Sequence, residues 1–450
     1  MQHESIPLAE MKSRAAGVLR GNDQGGWTTA APALYPHQWS WDSAFIAIGW
    51  AHLDIQRAAD ELRSLFRAQW KTGKIPHIVF NPDVPEEKYF PGAVFWGCSR
   101  LSRDVPEGIE TSGLLQPPVH AIAAWRIWEV AQQHGGDDVN LAGEFLEEAY
   151  GPLLAWHRFL ITARDPEKSG LIATVHPWEG LDNSPRWDAA MSRIEIGEIA
   201  PFTRADLKHV KDASQRPTDE EYRCYLWLVE LMKLANYDDE LIYAEHPYLV
   251  KDVFMTGILV AANKALAAIA EVVDAPREDR QAIEEWIDLG VRGLESSWDA
   301  ELGLCLDYDV RASEQIRLQT IAGFAPIIST VLTAERLAAQ LARFDSEAFC
   351  GHPRFRWPLP PSTSPHEPAF RPRSYWRGPN WPFMNWFFWW ALIQAGEQER
   401  AAQLRSAGLE QIVAAGFAEY VEPITGEPLG SARQSWTAAV ALDWLSWENT

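Results

Sequence analysis

Four segments of the chain set tryptophan beside acids or amides: Trp39-Ser40-Trp41-Asp42, Trp178-Glu179-Gly180-Leu181-Asp182, Trp376 to Trp381, and Gln434-Ser435-Trp436. A flat apolar ring stacks on the C–H face of a sugar, while carboxylates and amides bind its hydroxyls. A pair of carboxyls in such a site is also what cleaves a glycosidic bond. The chain holds 23 tryptophans. Trp125, Trp128, Trp156, Trp286 and Trp389 lie in apolar helical runs and are expected in the core. The clusters with acids are expected in a site.

Asp182 sits beside Trp and Leu, and a carboxyl partly desolvated in that way has a raised pKa and suits a general acid. An Asx turn or a helix cap would use the same residue, and Glu179 and Asp188 are rival acids. Gly180 permits close backbone approach to a ligand. Glu419 is one of three glutamates, with Glu422 and Glu427, in a single loop. Alternation puts Glu419 and Tyr420 on opposite faces, so only one of them points into a site. Asp42 either caps a helix from Ser43 to Trp50 or binds two sugar hydroxyls. Gln116 and Gln434 suit hydroxyl readout, or satisfy buried backbone groups. Arg216, in Ser214-Gln215-Arg216-Pro217-Thr218 and near Tyr222, either clamps a substrate carboxylate or forms a surface ion pair. His37 and His176 read as structural histidines.

The 40 basic and 62 acidic residues leave a net charge of −22. That balance argues against nucleic acid and against an anionic membrane surface as partners. A small anionic ligand needs only one or two local arginines and is not excluded. Cys98, Cys224, Cys305 and Cys350 are scattered, which suits reduced thiols better than a disulfide framework or a zinc site. Met1 to Ser5 lacks a basic then apolar signal pattern, and the apolar stretch Trp386 to Ala395 is too short for a membrane span. A cytoplasmic location is expected, and a homo-oligomer is compatible with the sequence. No Walker loop, strand-borne GxGxxG, HExxH or GxSxG motif is present, and no metal or organic cofactor is implied.

Positioning falls to helices. Apolar residues recur at helical spacing near 55–66, 117–134, 142–163, 220–236, 249–273, 283–298, 316–344, 380–395, 398–415 and 435–447, with Asp54 as an N-cap. No convincing run of alternating strands appears. Consecutive helix pairs can stack as a bundle, a solenoid or a closed double ring of six inner and six outer helices; the absence of a short repeat disfavours the solenoid, and closure fits the size. The polar, Pro- and Gly-rich stretches between helices carry the chemistry. One catalytic domain over 1–450 is expected, capped by loops at about 71–118 and 175–222.

Tyr35-Pro36-His37-Gln38-Trp39-Ser40-Trp41-Asp42, Gly180-Leu181-Asp182-Asn183-Ser184-Pro185-Arg186-Trp187, Tyr375-Trp376-Arg377-Gly378-Pro379-Asn380-Trp381-Pro382, Glu419-Tyr420 with Gly426-Glu427-Pro428, and Gln434-Ser435-Trp436 together resemble glycoside hydrolase family 63. Within it they are most similar to the bacterial glucosylglycerate and mannosylglycerate hydrolases, over about residues 15 to 447. The resemblance implies an all-α (α/α)6 toroid and inverting hydrolysis of 2-O-α-D-glucosyl-D-glycerate or 2-O-α-D-mannosyl-D-glycerate. It implies Asp182 as general acid and Glu419 as general base. It implies that Tyr35, Trp39, Trp41, Asp42, Gln116, Trp178, Gly180 and Trp381 hold the sugar. Tyr89, Arg216, Tyr222, Tyr375, Trp376 and Gln434 would hold the glycerate. An inverting pair should stand roughly 6.5–9.5 Å apart. The eukaryotic processing glucosidases of the family carry an added β-domain that is missing here, which predicts no role in glycoprotein processing. Two other readings compete: an α-glucosidase or trehalase-like hydrolase of neutral disaccharides, and a sugar-binding protein without turnover.

Overall fold

The computed structural model describes residues 8–204, 207 and 212–447. The expectation drawn from Met1 to Ser5, and part of the cap loop expected at 175–222, lie outside these residues. The fold is helix-rich, at 55% helical. Helix α1 (Leu8–Asn22) precedes the pair α2 (Ser40–Ala51) and α3 (Ile55–Arg67). Two single turns, α4 (Ala93–Trp96) and α5 (Cys98–Leu101), lie in the loop before α6 (His120–His134) and α7 (Asp137–Ala163). A second excursion holds α8 (Asp188–Ser192), α9 (Asp219–Leu234) and α10 (Asp239–Glu245). There follow α11 (Val253–Val272), α12 (Arg277–Ser296), α13 (Ala325–Ser329), α14 (Ala334–Phe344), α15 (Pro382–Gln394), α16 (Gln398–Ala415) and α17 (Ser435–Ser446).

The side chains divide these helices into two kinds. Every residue of α2 is buried, as are most of α11, α15 and α17. A helix apolar all round needs cover on every side. By contrast α3 and α12 bury only one stripe: Ile55, Ala58, Leu62 and Leu65 in α3, and Ile283, Gly290, Gly293 and Leu294 in α12. The Asp54 carboxylate accepts from the Arg57 N–H at 3.0 Å and starts α3 as the sequence predicts. Helix α2 packs on α6, α6 on α11, α11 on α13, α13 on α15, α15 on α17, and α17 on α2. The one-sided helices lie against these: α3 on α2, α7 on α6, α12 on α11, α14 on α13, α16 on α15 and α1 on α17. The α2–α17 crossing is close enough to require Gly49, where a Cβ would come within 2.4 Å of the Ala439 Cα.

Three sequence expectations change. The periodic stretch 316–344 is not one helix. A strand ends at Ile316, α13 stops at Thr330 with φ +57, and α14 restarts where the Thr333 hydroxyl accepts from the Arg336 N–H. Strands also exist. Ala173–Thr174, Val250–Lys251, Asp307–Asp309 and Glu314–Ile316 pair antiparallel in that order. At two or three residues each, they are too short to show alternation. Finally, the helix most able to span a membrane by length and composition is α11, not Trp386 to Ala395. It has a mean hydropathy of 1.8, and 83% of that window is buried. It is the apolar spine of the core, touching α6, α7, α12 and α13. Trp156 and Trp389 are buried, and Trp125, Trp128 and Trp286 pack on the core. All four cysteines are buried free thiols.

Candidate active site

The N-terminal ends of α2 and α17 converge on one cavity of about 1040 Å³ including its mouth. Helix N-termini carry partial positive charge, so this end of the molecule tolerates acids. Asp42 lies in the first turn of α2 and Gln434 at the N-cap position of α17. Asp42 does not cap its helix: α2 begins at Ser40, ahead of it, and no side chain caps it. The carboxyl instead faces the cavity, where the Gln434 amide reaches it at 3.5 Å. Burial raises its pKa well above the ordinary aspartate value, and the nearby charges of Glu419 and Asp182 add to that.

Glu419 stands just before a hairpin that pairs Tyr420–Val421 with Pro428–Leu429. Its side chain is fully buried and receives three donors. The Tyr35 hydroxyl donates to Oε1 at 2.8 Å, and the Ser431 N–H to Oε2 at 3.0 Å. The Arg216 guanidinium donates to Oε2 at 3.4 Å. Gly430, at φ +68, is required here, because a Cβ would meet Glu419 Oε2 at 2.3 Å. Tyr420 turns the other way and donates to the Gln215 carbonyl at 3.2 Å, as alternation along the chain predicts.

Asp182 lies across the same cavity, after the single turn Pro177–Glu179. Burial pushes its carboxyl up to about 8; the Glu419 charge adds to this, while its own backbone and Arg216 oppose it. The rival acids do other work. Glu179 is locked in a bidentate pair with buried Arg164 (2.7 and 2.8 Å) and accepts the Val175 N–H. Asp188 pairs with Arg377 at the surface. Glu422 accepts within its own turn, from Thr425, and Glu427 pairs with Arg373. Of these acids only Asp182 and Glu419, with Asp42, line the cavity.

Arg216 is buried, and a second guanidinium nitrogen donates to the Tyr35 hydroxyl at 2.8 Å. Its Nε has no partner among the described residues. With exposed Lys88 at the mouth, it supplies the positive charge of the wall. Tyr375 faces Tyr35 (O···O 3.4 Å) and holds φ +34, a sparsely populated backbone region that costs energy and recurs at ligand clamps. The pKa values of Tyr35 and Tyr375 are raised well above the ordinary tyrosine value, first by burial, so both remain hydroxyl donors.

A scan against protein families matches residues 35–437 to the mannosylglycerate hydrolase MGH1-like glycoside hydrolase domain. The chain belongs to this glycoside hydrolase family. It is 46% identical over 447 residues to a glucosylglycerate hydrolase of Mycolicibacterium hassiacum, covering 99% of this chain and 100% of the relative. It is 40% identical to a mannosylglycerate hydrolase of Thermus thermophilus over 96% of this chain and 99% of the relative. The crystal structure of a family 63 mannosylglycerate hydrolase from Thermus thermophilus, in complex with Tris and D-glycerate, superimposes with a TM-score of 0.88 at 38% identity, covering 96% of this chain and 99% of that one.

The hydrolase brings nearly all its sequence-predicted site residues to one cavity. Tyr35, Trp39, Trp41, Asp42, Tyr89, Gln116, Trp178, Gly180, Asp182, Arg216, Tyr222, Tyr375, Trp376, Glu419 and Gln434 line the cavity. Trp381 does not. It lies behind Trp376, the two rings parallel at 4.0 Å, because it precedes α15 one layer deeper. His176 accepts from the Trp178 N–H and bonds the Tyr225 carbonyl, and His37 accepts from the Asn81 N–H, so both are structural. Trp96 and Lys88 also line the cavity and are not among the residues that the sequence places in the site, and Trp436, quoted in a sequence cluster but given no role, lines it too. Trp436 has a visible signal, two residues after Gln434. Lys88 and Trp96 have none, since the loops that carry them meet the site only through the fold.

Proposed function

We propose that this glycoside hydrolase cleaves 2-O-α-D-glucosyl-D-glycerate or 2-O-α-D-mannosyl-D-glycerate by single displacement, releasing the sugar with inverted configuration. The observation that carries the reading is a buried cation, Arg216, beside Glu419 in a cavity lined mainly by acids, aromatics and amides. A neutral disaccharide offers such a cation only hydroxyls, whereas glycerate brings a carboxylate, the stronger charge-assisted partner. The 46% identical relative is named for glucosylglycerate, and the solved mannosylglycerate hydrolase holds D-glycerate.

In this mechanism Asp182 enters as the acid, since its carboxyl still holds a proton at neutral pH. It donates that proton to the leaving glycerate oxygen as the glycosidic bond breaks. Glu419 takes a proton from water attacking the opposite face of the anomeric carbon. Tyr35 and the Ser431 N–H fix the orientation of its two oxygens. Asp42, with Tyr35, Trp39, Trp41, Gln116, Trp178 and Gly180, surrounds the sugar, and Trp381 supports Trp376 from behind. Arg216 binds the glycerate carboxylate among Tyr89, Tyr222, Tyr375, Trp376 and Gln434. Proton transfers between carboxyls and water supply the chemistry without a cofactor. The pairwise helix packing supports one (α/α)6 domain over 1–450, with loops 71–118 and 175–222 capping it. Buried free thiols fit a cytoplasmic setting.

Anomeric-proton NMR from the first minutes of reaction tests this. The β-anomer should appear first from glucosylglycerate or mannosylglycerate, and the faster substrate identifies the sugar. Initial α-anomer, or cleavage of trehalose alone, would overturn the proposal.

A further inference from the structure

We infer that Glu221 is a positioning residue for the general acid, a role that rests on the reading of Asp182 given above. Among the described residues no side chain hydrogen-bonds the Asp182 carboxyl, so the acid is placed by its backbone. That backbone is held on one side by the Trp187 indole, which donates to the Leu181 carbonyl at 2.8 Å. On the other side is Asn183, buried and held at φ +59, whose side chain is tied through its amino group: Nδ2 donates to Glu221 Oε1 at 2.7 Å.

Glu221 lies in the first turn of α9, and its carboxylate takes donors from two further segments. Arg377 donates to Oε1 at 3.4 Å while also gripping Asp188, at the far end of the acid segment. The Thr218 N–H and hydroxyl donate to Oε2 at 2.7 and 2.8 Å. One carboxylate therefore joins the segment of Asp182, the segment of Arg216 and that of Tyr375 and Trp376. Tyr222, the next residue of α9, itself lines the cavity. A capping box accounts for the Thr218 bonds alone. It does not call for Asn183 and Arg377 on the second oxygen.

The chemistry of the group explains why it is a carboxylate. Glutamate is acceptor-only, and both oxygens are used by donors. Glutamine offers one accepting oxygen, and its amino group would face donors on the other side. Glu221→Gln therefore breaks either the cap or the tie to Asn183. Misplacement of an acid by about 1 Å costs on the order of 100-fold in rate.

The test compares two substrates of the same sugar: the glycosylglycerate, whose leaving oxygen needs a proton, and the α-glycosyl fluoride, whose leaving group departs without one. Glu221→Gln should lower kcat on the glycosylglycerate by about 100-fold and change kcat on the fluoride only a few-fold. Asn183→Ala should give the same split, and the double variant should be no worse than either single. Thr218→Ala removes only the cap hydroxyl and should lower Tm while leaving the ratio of the two rates as in wild type. Equal losses on both substrates, or no loss on either, would overturn the inference alone. If the wild-type enzyme released no sugar from glycosylglycerate, both this inference and the proposed function would fall.

Discussion

Replacing Asp182 with asparagine should make the protein more stable and nearly inactive. Both effects follow from one cause. An ordinary aspartate titrates near 3.8, and burial moves Asp182 to about 8. Below the ordinary value both folded and unfolded chains hold the proton, and nothing separates them. As pH rises above it, the unfolded chain releases its proton while the folded chain keeps its own. Folded stability then falls steadily until pH passes about 8, where both states are ionised and the deficit stays constant. At pH 7 the deficit is about 4 kcal/mol at most, and roughly 2 kcal/mol once water in the cavity relaxes the site. Asparagine keeps the size and polarity but has no proton to lose, so the deficit disappears.

Urea denaturation of wild type and Asp182→Asn between pH 4 and pH 9 measures this directly. The two midpoints should coincide near pH 4 and separate progressively toward pH 8, with the variant the more stable. Turnover of glycosylglycerate by the variant should fall by about 10²–10⁴, the usual contribution of a general acid. In wild type the alkaline limb of kcat/KM, which reports the free enzyme, should lie near pH 8. A stability difference that does not vary with pH would refute the argument, because it would show that Asp182 is already ionised in the folded protein.

Glu419→Ala should also lose turnover by about 10²–10⁴, and initial rates on either glycerate substrate will show it. Arg216→Ala should lower kcat/KM for glycerate-bearing substrates by about 30- to 1000-fold, as expected for a buried charge-assisted contact. Neutral glycosides of the same sugar should lose much less, only what the lost contacts of Arg216 to Glu419 and Tyr35 cost, and equal loss on both would remove Arg216 from carboxylate binding. Trp381→Ala should cost about 3–5 kcal/mol in urea unfolding and raise KM, because Trp376 loses the ring it stacks on.

The helices were legible because their apolar spacing is long and regular, and the loops because their acids and tryptophans have no place in a core stripe. Which acids face the cavity was not legible from the local residues alone, and only the family resemblance singled out Asp182 and Glu419. Glu179 is as close to Trp178 in sequence as any catalytic candidate, yet Arg164, fifteen positions earlier, draws it into a buried pair that anchors the loop instead. Nothing local marks that partnership, since Arg164 sits at the end of α7 and meets Glu179 only when the strands around Ala173 and Val250 pair. Trp381 shows the complementary limit. Its sequence setting matches that of Trp376, and only the stacking of one ring behind the other decides which lines the cavity. Residue type and spacing thus name the chemistry, whereas the assignment of roles among like residues depends on partners that only the closed fold supplies. The same dependence explains why a chain with a net charge of −22 can bind an anion. In the proposed reading the charge that matters is the buried guanidinium of Arg216, which the fold sets against Glu419 and whose Nε it leaves unpartnered among the described residues.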